Sequence, residues 1–306
     1  MSAQSASAAV VSLHDADTGH QSKSRSLWRD AARQFRRHYM AMAGLVVLIL
    51  IGLAAIFGPF ISPYDPEAID FKAKNAGPSW SHPIGTDDLG RDPLTRILYG
   101  GRVSLGVALA AVAVSSTVGV AVGALAGFAG GIVDNLLMRV VDICYAMPGL
   151  FVVILIMTLV GPSMTSIIVT IGLLRWMGTA RLVRAGFLSL KEQEFVESAR
   201  AMGTPAWRIM VRHILPNTLS PIIVASTLGI AGSILTESAL SFLGLGFQPP
   251  TATWGRMLAE AQSAVINKGL WGRVLFPGLV IFLGVLSVNY FGDGLRDAID
   301  PRRLRR

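Results

Sequence analysis

Residues Glu192 to Pro216, EQEFVESARAMGTPAWRIMVRHILP, form a polar island between two long apolar runs. Ser189 and Glu192 have the spacing of a capping box, which predicts a helix starting near Lys191. Phe195, Ala199 and Met202 recur at i, i+4 and i+7 and give that helix one apolar stripe. Gly203 supplies the left-handed residue that ends such a helix. Thr204 and Pro205 then read as an N-cap and a first helical position. Ile209, Met210 and Ile214 line one side of the second helix, and Pro216 closes it. The expected product is a pair of short helices joined at a glycine corner and kept out of the bilayer by charge. That shape suits docking; the alternative is a hairpin that packs only against its own chain.

The rest of the chain explains why the island stands out. It has 306 residues, of which 52% are hydrophobic and only 15% charged. Soluble domains carry about 25% charged residues, so this composition belongs to a membrane protein. Apolar runs near Met42–Phe60, Val103–Phe128, Val141–Val160, Met164–Leu182, Leu219–Leu243 and Val274–Phe291 are each close to the roughly 20 residues a bilayer requires. The expected class is therefore all-α, a polytopic membrane protein with six transmembrane helices. Arg139 and Asp142, one turn apart at the mouth of the third run, are expected to pair with each other. Residues 1–26, rich in Ser and Ala, read as a disordered cytoplasmic tail. Residues 27–41 read as an amphipathic interfacial helix, with Trp28, Ala31, Phe35 and Tyr39 on one side and arginines on the other. The single cysteine, Cys144, excludes an intrachain disulfide and reads as a small apolar residue.

Lys and Arg set the orientation. With the N-terminus inside, the inner segments hold 18 of these residues and the outer loops 8, with Arg175 inside a span. Both termini and the docking hairpin are thus expected in the cytoplasm. The net charge of +8 reports topology, and no nucleic-acid partner is implied.

At this point the residues resemble a family. Glu197-Ser198-Ala199, three residues, Gly203, and Leu215-Pro216 further on resemble the "EAA" loop of ABC importer permeases. Ser198 stands where alanine is usual and His213 where an aliphatic residue is common; the spacing is kept. GTDDLGRD (Gly85–Asp92), ESALSFLGLG (Glu237–Gly246) followed by Pro-Pro and Trp-Gly, and the C-terminal GDGLRDAIDPR are similar to phrases of one branch. That branch imports dipeptides, oligopeptides, glutathione and nickel, and FRRHYMAM (Phe35–Met42) leans toward its glutathione members. The resemblance runs from about Phe35 to the end. It implies a type I ABC importer permease fold over residues 42–306, with a coupling loop at 189–216 that docks on an ATPase. It also implies a bacterial inner-membrane location, a second homologous permease subunit, two ATP-binding subunits and a periplasmic or lipid-anchored substrate-binding protein. No cofactor is expected in this chain, since ATP and Mg2+ would be bound by the partner ATPase subunits.

Several charged residues lie outside the docking loop. In the first outer loop Asp87, Asp88 and Asp92 alternate with Arg91 and Arg96. A hard-cation or phosphate site is one reading, but the spacing fits no EF-hand and the arginines neutralise the carboxylates. A self-satisfied turn network is preferred. In the second outer loop Trp254 to Ala261 reads as a short surface helix with Trp254 at the interface; the resemblance assigns this loop to sealing the outer mouth. Arg175 and Glu237 sit at membrane depth, where a charge costs a few kcal/mol or more unless paired or wetted, which makes both candidates for a substrate pathway; Glu237, near the outer end of the fifth run, reads rather as a structural partner or part of the outer gate. Arg175 could meet a substrate carboxylate, pair with Glu237 or snorkel. Gly119, Gly123 and Gly127 form a small-xxx-small ladder for close packing, within the chain or against a second subunit.

The chain holds no G-x-x-x-x-G-K-[ST] phosphate loop, no H-E-x-x-H and no G-x-S-x-G. The functional expectation is a permease subunit, itself not an enzyme, of an ATP-driven importer of peptides. The alternative is an ion-coupled secondary transporter, which should show inverted repeats and midplane acids; no repeat is visible, and Glu237 is the one clearly intramembrane acid. An intramembrane hydrolase lacks a convergent acid, base and nucleophile set.

Overall fold

The computed structural model describes residues 27–299 and is helical apart from its connecting loops, the longest at 62–92, with no strand among the described residues. Its helices are α1 (Leu27–Arg37), α2 (Tyr39–Ile61), α3 (Pro93–Ala129), α4 (Gly131–Ala146), α5 (Gly149–Val160) and α6 (Met164–Leu190). They continue with α7 (Glu194–Ala201), α8 (Ala206–Ile209), α9 (Leu215–Phe242), α10 (Trp254–Lys268) and α11 (Gly272–Ile299). The expected tail at 1–26 lies outside the described residues.

Among the described residues five helices are long and apolar enough to cross a membrane, and α4 with α5 makes a sixth, broken one. The third run, expected near Val141–Val160, begins earlier, at Gly131, and is broken: α4 and α5 meet at 86°. Pro148 is the cause. It pushes Met147 out of helical geometry, to ψ 131, and serves as the N-cap of α5. The other runs extend beyond their apolar stretches. The second begins at Pro93 rather than Val103, because Asp92 accepts from the Thr95 amide and Pro93 occupies the first helical position. The fourth runs on to Leu190.

The packing centres on α3 against α6, and the glycine ladder makes it possible. A methyl at Gly119 would lie 2.6 Å from Thr179 Cβ, and one at Gly127 2.6 Å from Phe187 Cβ. At Gly123 it would strike the Ala180 carbonyl and lie 2.8 Å from Val183 Cβ. The ladder therefore serves contact within the chain. On the other side α11 packs against α2, α9 and α10. Gly44 faces the Ser287 carbonyl at that seam, and Gly294 admits Ala41 and Phe35.

The amphipathic helix expected over 27–41 stops at Arg37, where His38 turns extended and accepts from the Ala41 amide. Tyr39 belongs to the first span and is exposed. The Phe35 side is taken up by α11: its ring stacks edge-on against Phe291 at 5.4 Å, and Gln34 donates to the Asp297 carbonyl at 2.9 Å. The side chains of Trp28 and Ala31 lie outside the described set. Cys144 is half-buried beside the Val141, Trp176 and Met177 cluster.

Candidate functional site

The elbow at 189–216 is built differently at its edges from the sequence expectation. Ser189 is inside α6, which continues because Lys191 still bonds to the Phe187 carbonyl, so no capping box forms at Lys191. The next helix, α7, starts at Glu194 after Gln193. Its buried side is Val196 and Ala199, packed with Phe187, Ile209 and Ile214. Phe195 and Met202, expected beside Ala199 in one stripe, face outward instead, Met202 at 78% exposure. The register is decided by Val196, one position along from Phe195, which fits the space beneath the elbow.

The corner itself follows the expected chemistry. Gly203 has φ +75, donates to the Arg200 carbonyl at 2.9 Å, and lets Thr204 donate to Ala199 at 3.1 Å. Those two bonds form a Schellman end. The N-cap of the following helix is Pro205 rather than Thr204, with Ala206 first. Pro216 does not close this helix. From Ala206 the chain runs through a π-helical turn, Met210–Ile214, directly into α9. Leu215 bonds to Met210, one residue further back than in an α-helix, and this widened turn accommodates the proline ring at the start of α9. The elbow is thus a rigid outgrowth of two long helices. It presents Glu197 and Ser198 beside the exposed side chains of Phe195, Met202, Trp207 (57% exposed) and Val211. Leu215 packs inward against the same buried cluster. Arg200 is held over the Phe128 ring at 5.6 Å, which ties the elbow to the end of α3.

The broken span is fastened at this same end. Asp142 pairs with Arg181 of α6 at 2.7 Å, and Arg139 is not its partner. Asp134 receives both Nε and Nη2 of Arg184. Sequence spacing favoured the neighbour one turn away, but α4 lies along α6 with its acids turned toward it.

At the opposite end, Asp87, Asp88, Arg91 and Asp92 are parts of a larger ionic cluster. Arg91 Nε donates to Asp87 at 2.6 Å and Arg96 Nη1 donates to Asp87 at 3.1 Å. Both arginines also reach Glu260 of α10, at 3.1 and 2.6 Å. Arg273 holds Asp88 at 2.8 Å, and Asp92 caps α3 while contacting His82 at 3.1 Å. The first loop is therefore not satisfied by itself: Glu260 of α10 and Arg273 of α11 complete it. Arg256 and Glu260, an i, i+4 pair at 3.2 Å, were the readable hint that α10 carries a carboxylate. Burial alone would raise the Glu260 carboxyl, but the hydrogen bond and charge of Arg96, with Arg91 and Arg256, hold it below the ordinary value of 4.5.

Trp254 is not an interfacial residue. It is 1% exposed, wedged against Ala108, Ile234 and Ile281, and its indole N–H donates to the Ile97 carbonyl at 3.0 Å. Its helix also extends past Ala261 to Lys268. Buried Trp is stable here because that one polar atom is satisfied.

Between the two ends lie the charged groups at membrane depth. Glu237 is fully buried and accepts from Ser241 at 2.8 Å and from Ser104 at 3.1 Å. Ser104 in turn accepts from the Trp254 amide, so Glu237 braces α9 against α3 and α10. Arg175 does not join it: none of the ion pairs among the described residues involves Arg175, and its Nε is buried without a hydrogen-bond partner. The guanidinium lies against Gly232 of α9, where a Cβ would overlap it, a contact that no spacing signal announces. Arg175 borders two cavities, one of about 290 Å³ and one of about 420 Å³.

Comparison with known proteins agrees with this architecture. Residues 119–305 match the family described as "Binding-protein-dependent transport system inner membrane component", and residues 26–78 match the "N-terminal TM domain of oligopeptide transport permease C". The chain is 42% identical to the dipeptide transport system permease protein DppC of Bacillus subtilis, over 92% of this chain and 88% of that one. It is 43% identical to the glutathione transport system permease protein GsiD of Pectobacterium atrosepticum, over 91% and 92%. Among solved structures it resembles an inward-facing form of the MetNI methionine ABC transporter, with TM-score 0.52 and 18% identity over 66% of this chain and 94% of that one, a likeness of fold alone. With a family match over most of its length and relatives this similar end to end, the chain belongs to the binding-protein-dependent transport system inner membrane components.

Proposed function

We propose that this chain is a permease subunit of an ATP-driven importer of peptides, dipeptides or glutathione being the solute class suggested by the names of its relatives. The observation that carries the reading is the elbow, a rigid corner whose apolar side chains Phe195, Met202, Trp207 and Val211 stand exposed on a segment too charged to lie in lipid. Exposed apolar groups on a preformed helical corner are what a protein partner covers. In this reading Glu197, Ser198 and Gly203 form the coupling helix, and separate ATPase subunits bind ATP and Mg2+. Closing of those subunits pushes on α6 and α9, between which the elbow is continuous. A second permease subunit completes the pathway, and a binding protein delivers solute to the opposite end. The excess of Lys and Arg at the elbow end supports both termini facing the cytoplasm.

Co-purification tests the reading. The intact complex should retain its ATPase and take up labelled dipeptide or glutathione only with ATP. Trp207→Asp or Gly203→Pro should cut ATPase recovery at least tenfold while the chain still reaches the membrane. Undiminished recovery with both variants, or uptake driven by an ion gradient without ATP, overturns it.

A further inference from the structure

Arg175 is the one charged group on α6 between the two ends of the bundle, 11 positions from the start of that helix, or about 16 Å along it. A guanidinium at membrane depth ordinarily holds a carboxylate or carbonyls or reaches water, because an uncompensated charge there is costly; Arg175 is half-buried, with Nε the atom cut off from solvent. Here the side chain has been given room, by Gly232, without being given a partner among the described residues. The space around it is divided by chemistry. One cavity, about 290 Å³, carries the hydroxyls of Ser115, Ser116, Thr179 and Ser226, with Ser116 and Ser226 in mutual contact at 2.8 Å. The other, about 420 Å³, is walled by Leu150, Val153, Ile171, Leu235 and Leu240. Its wall depends on the break in the third span, since Gly149 and Leu150 come from the first turn of α5 just beyond Pro148.

Resting on the peptide-import reading above, we propose that Arg175 is the carboxylate-recognition residue of the translocation pathway. A free α-carboxylate of a peptide seats on its guanidinium, backbone polar groups face the serine and threonine hydroxyls, and one apolar side chain enters the recess beside α5. A planar guanidinium matches a carboxylate with two parallel hydrogen bonds, which Lys cannot reproduce. Glu237, the buried acid of α9, is engaged by Ser104 and Ser241 and does not compete. The two cavities together fall in the size range of small-ligand sites, a few hundred Å³. The charge serves as a filter: a solute that brings a carboxylate relieves the guanidinium's lack of a partner, and an otherwise equal amide does not.

The test uses the complete complex, with its ATPase and binding protein, in proteoliposomes. ATP-dependent uptake of L-alanyl-L-leucine is compared with that of its C-terminal amide, for wild type, Arg175→Gln and Arg175→Lys. Because all variants share one binding protein, its own preference cancels from the ratio. Arg175→Gln is expected to lower uptake of the acid at least tenfold and to lower the acid-to-amide ratio by about the same factor. Arg175→Lys is expected to raise KM for the acid about tenfold with little change in maximal rate. An acid-to-amide ratio equal to wild type in either variant that assembles overturns the proposal. Absence of ATP-dependent uptake of both this dipeptide and glutathione by the wild type overturns instead the import reading beneath it.

Discussion

Glu260→Ala is the perturbation that most directly probes how the loop before α3 is held against α10. The Arg96 side chain is 3% exposed, and its Nε and Nη2 are buried without partners. Its compensation passes through Nη1, to Glu260 at 2.6 Å and Asp87 at 3.1 Å. Asp87 is meanwhile occupied by Arg91 Nε at 2.6 Å. Removing Glu260 therefore leaves two nearly buried guanidinium groups sharing one carboxylate. Breaking a buried pair in this way costs about 3–5 kcal/mol. Glu260 is itself 22% exposed, so water offsets part of the loss and the lower end, about 3 kcal/mol, applies. At about 2–4 °C per kcal/mol for chains of this size, the midpoint should fall by about 6–12 °C. The assay is thermal unfolding of the detergent-solubilised complex at one fixed scan rate, since membrane complexes seldom refold.

A paired control separates this cause from general damage. Replacing Arg96 and Glu260 together by Met removes both partners, and such replacement of a buried pair is often neutral. The double variant should be more stable than Glu260→Ala. The Glu260 carboxyl lies below its ordinary 4.5 in the folded chain, so its contribution is fully present above that value and is lost as pH falls through the lower folded value. Wild type should lose thermal stability below about pH 4.5, and Glu260→Gln should lose less over the same interval. A Glu260→Ala midpoint within about 2 °C of wild type, or a double variant as unstable as the two singles summed, would refute the reasoning.

Further outcomes follow from positions elsewhere in the bundle. Gly203→Ala meets no atom within 4 Å, so only the backbone at φ +75 resists it; denaturation should show a loss of about 1–2 kcal/mol, and no loss would mean the corner relaxes freely. Gly123→Val drives side-chain atoms into the Ala180 carbonyl and Val183, and the overpacking should cost about 1–3 kcal/mol by thermal shift. Gly106→Val on the same helix, with nothing within 4 Å, should cost far less. Trp254→Phe keeps the buried ring but drops the indole donor to the Ile97 carbonyl, which should cost about 1 kcal/mol by the same measure.

What could be read in the chain, and what could not, divides along a physical line. Membrane helices announce themselves because about 20 apolar residues have few other uses. Gly203 announced itself because a left-handed residue at a helix end strongly favours glycine. The ladder at Gly119, Gly123 and Gly127 was legible as a contact face, though not which helix would fill it; α6 answered that. Partners were the part that failed. Arg139 seemed to own Asp142 by spacing, yet Asp142 turned to Arg181 on another helix. The charges of the first loop read as a network satisfied by itself, yet Glu260 completes it from 169 residues away from Arg91. Spacing within one helix is visible in sequence, whereas the choice between a near partner and a distant one depends on which faces pack.

The same line explains the faces of the elbow. Periodicity grouped Phe195 with Ala199 and Met202, and it is blind to whether an apolar stripe is covered by the same chain or by another. Burial of Val196 with Ala199 beneath the corner satisfies the hairpin internally and frees Phe195 and Met202 to face outward. A misread stripe and a docking surface are thus the same observation: apolar residues at helical spacing that their own fold does not cover. Arg175 is the charged counterpart, a group placed at depth for which the chain supplies space but no partner. In both places the sequence is consistent and the single chain leaves something unmatched, which is where a partner or a solute has to enter the account.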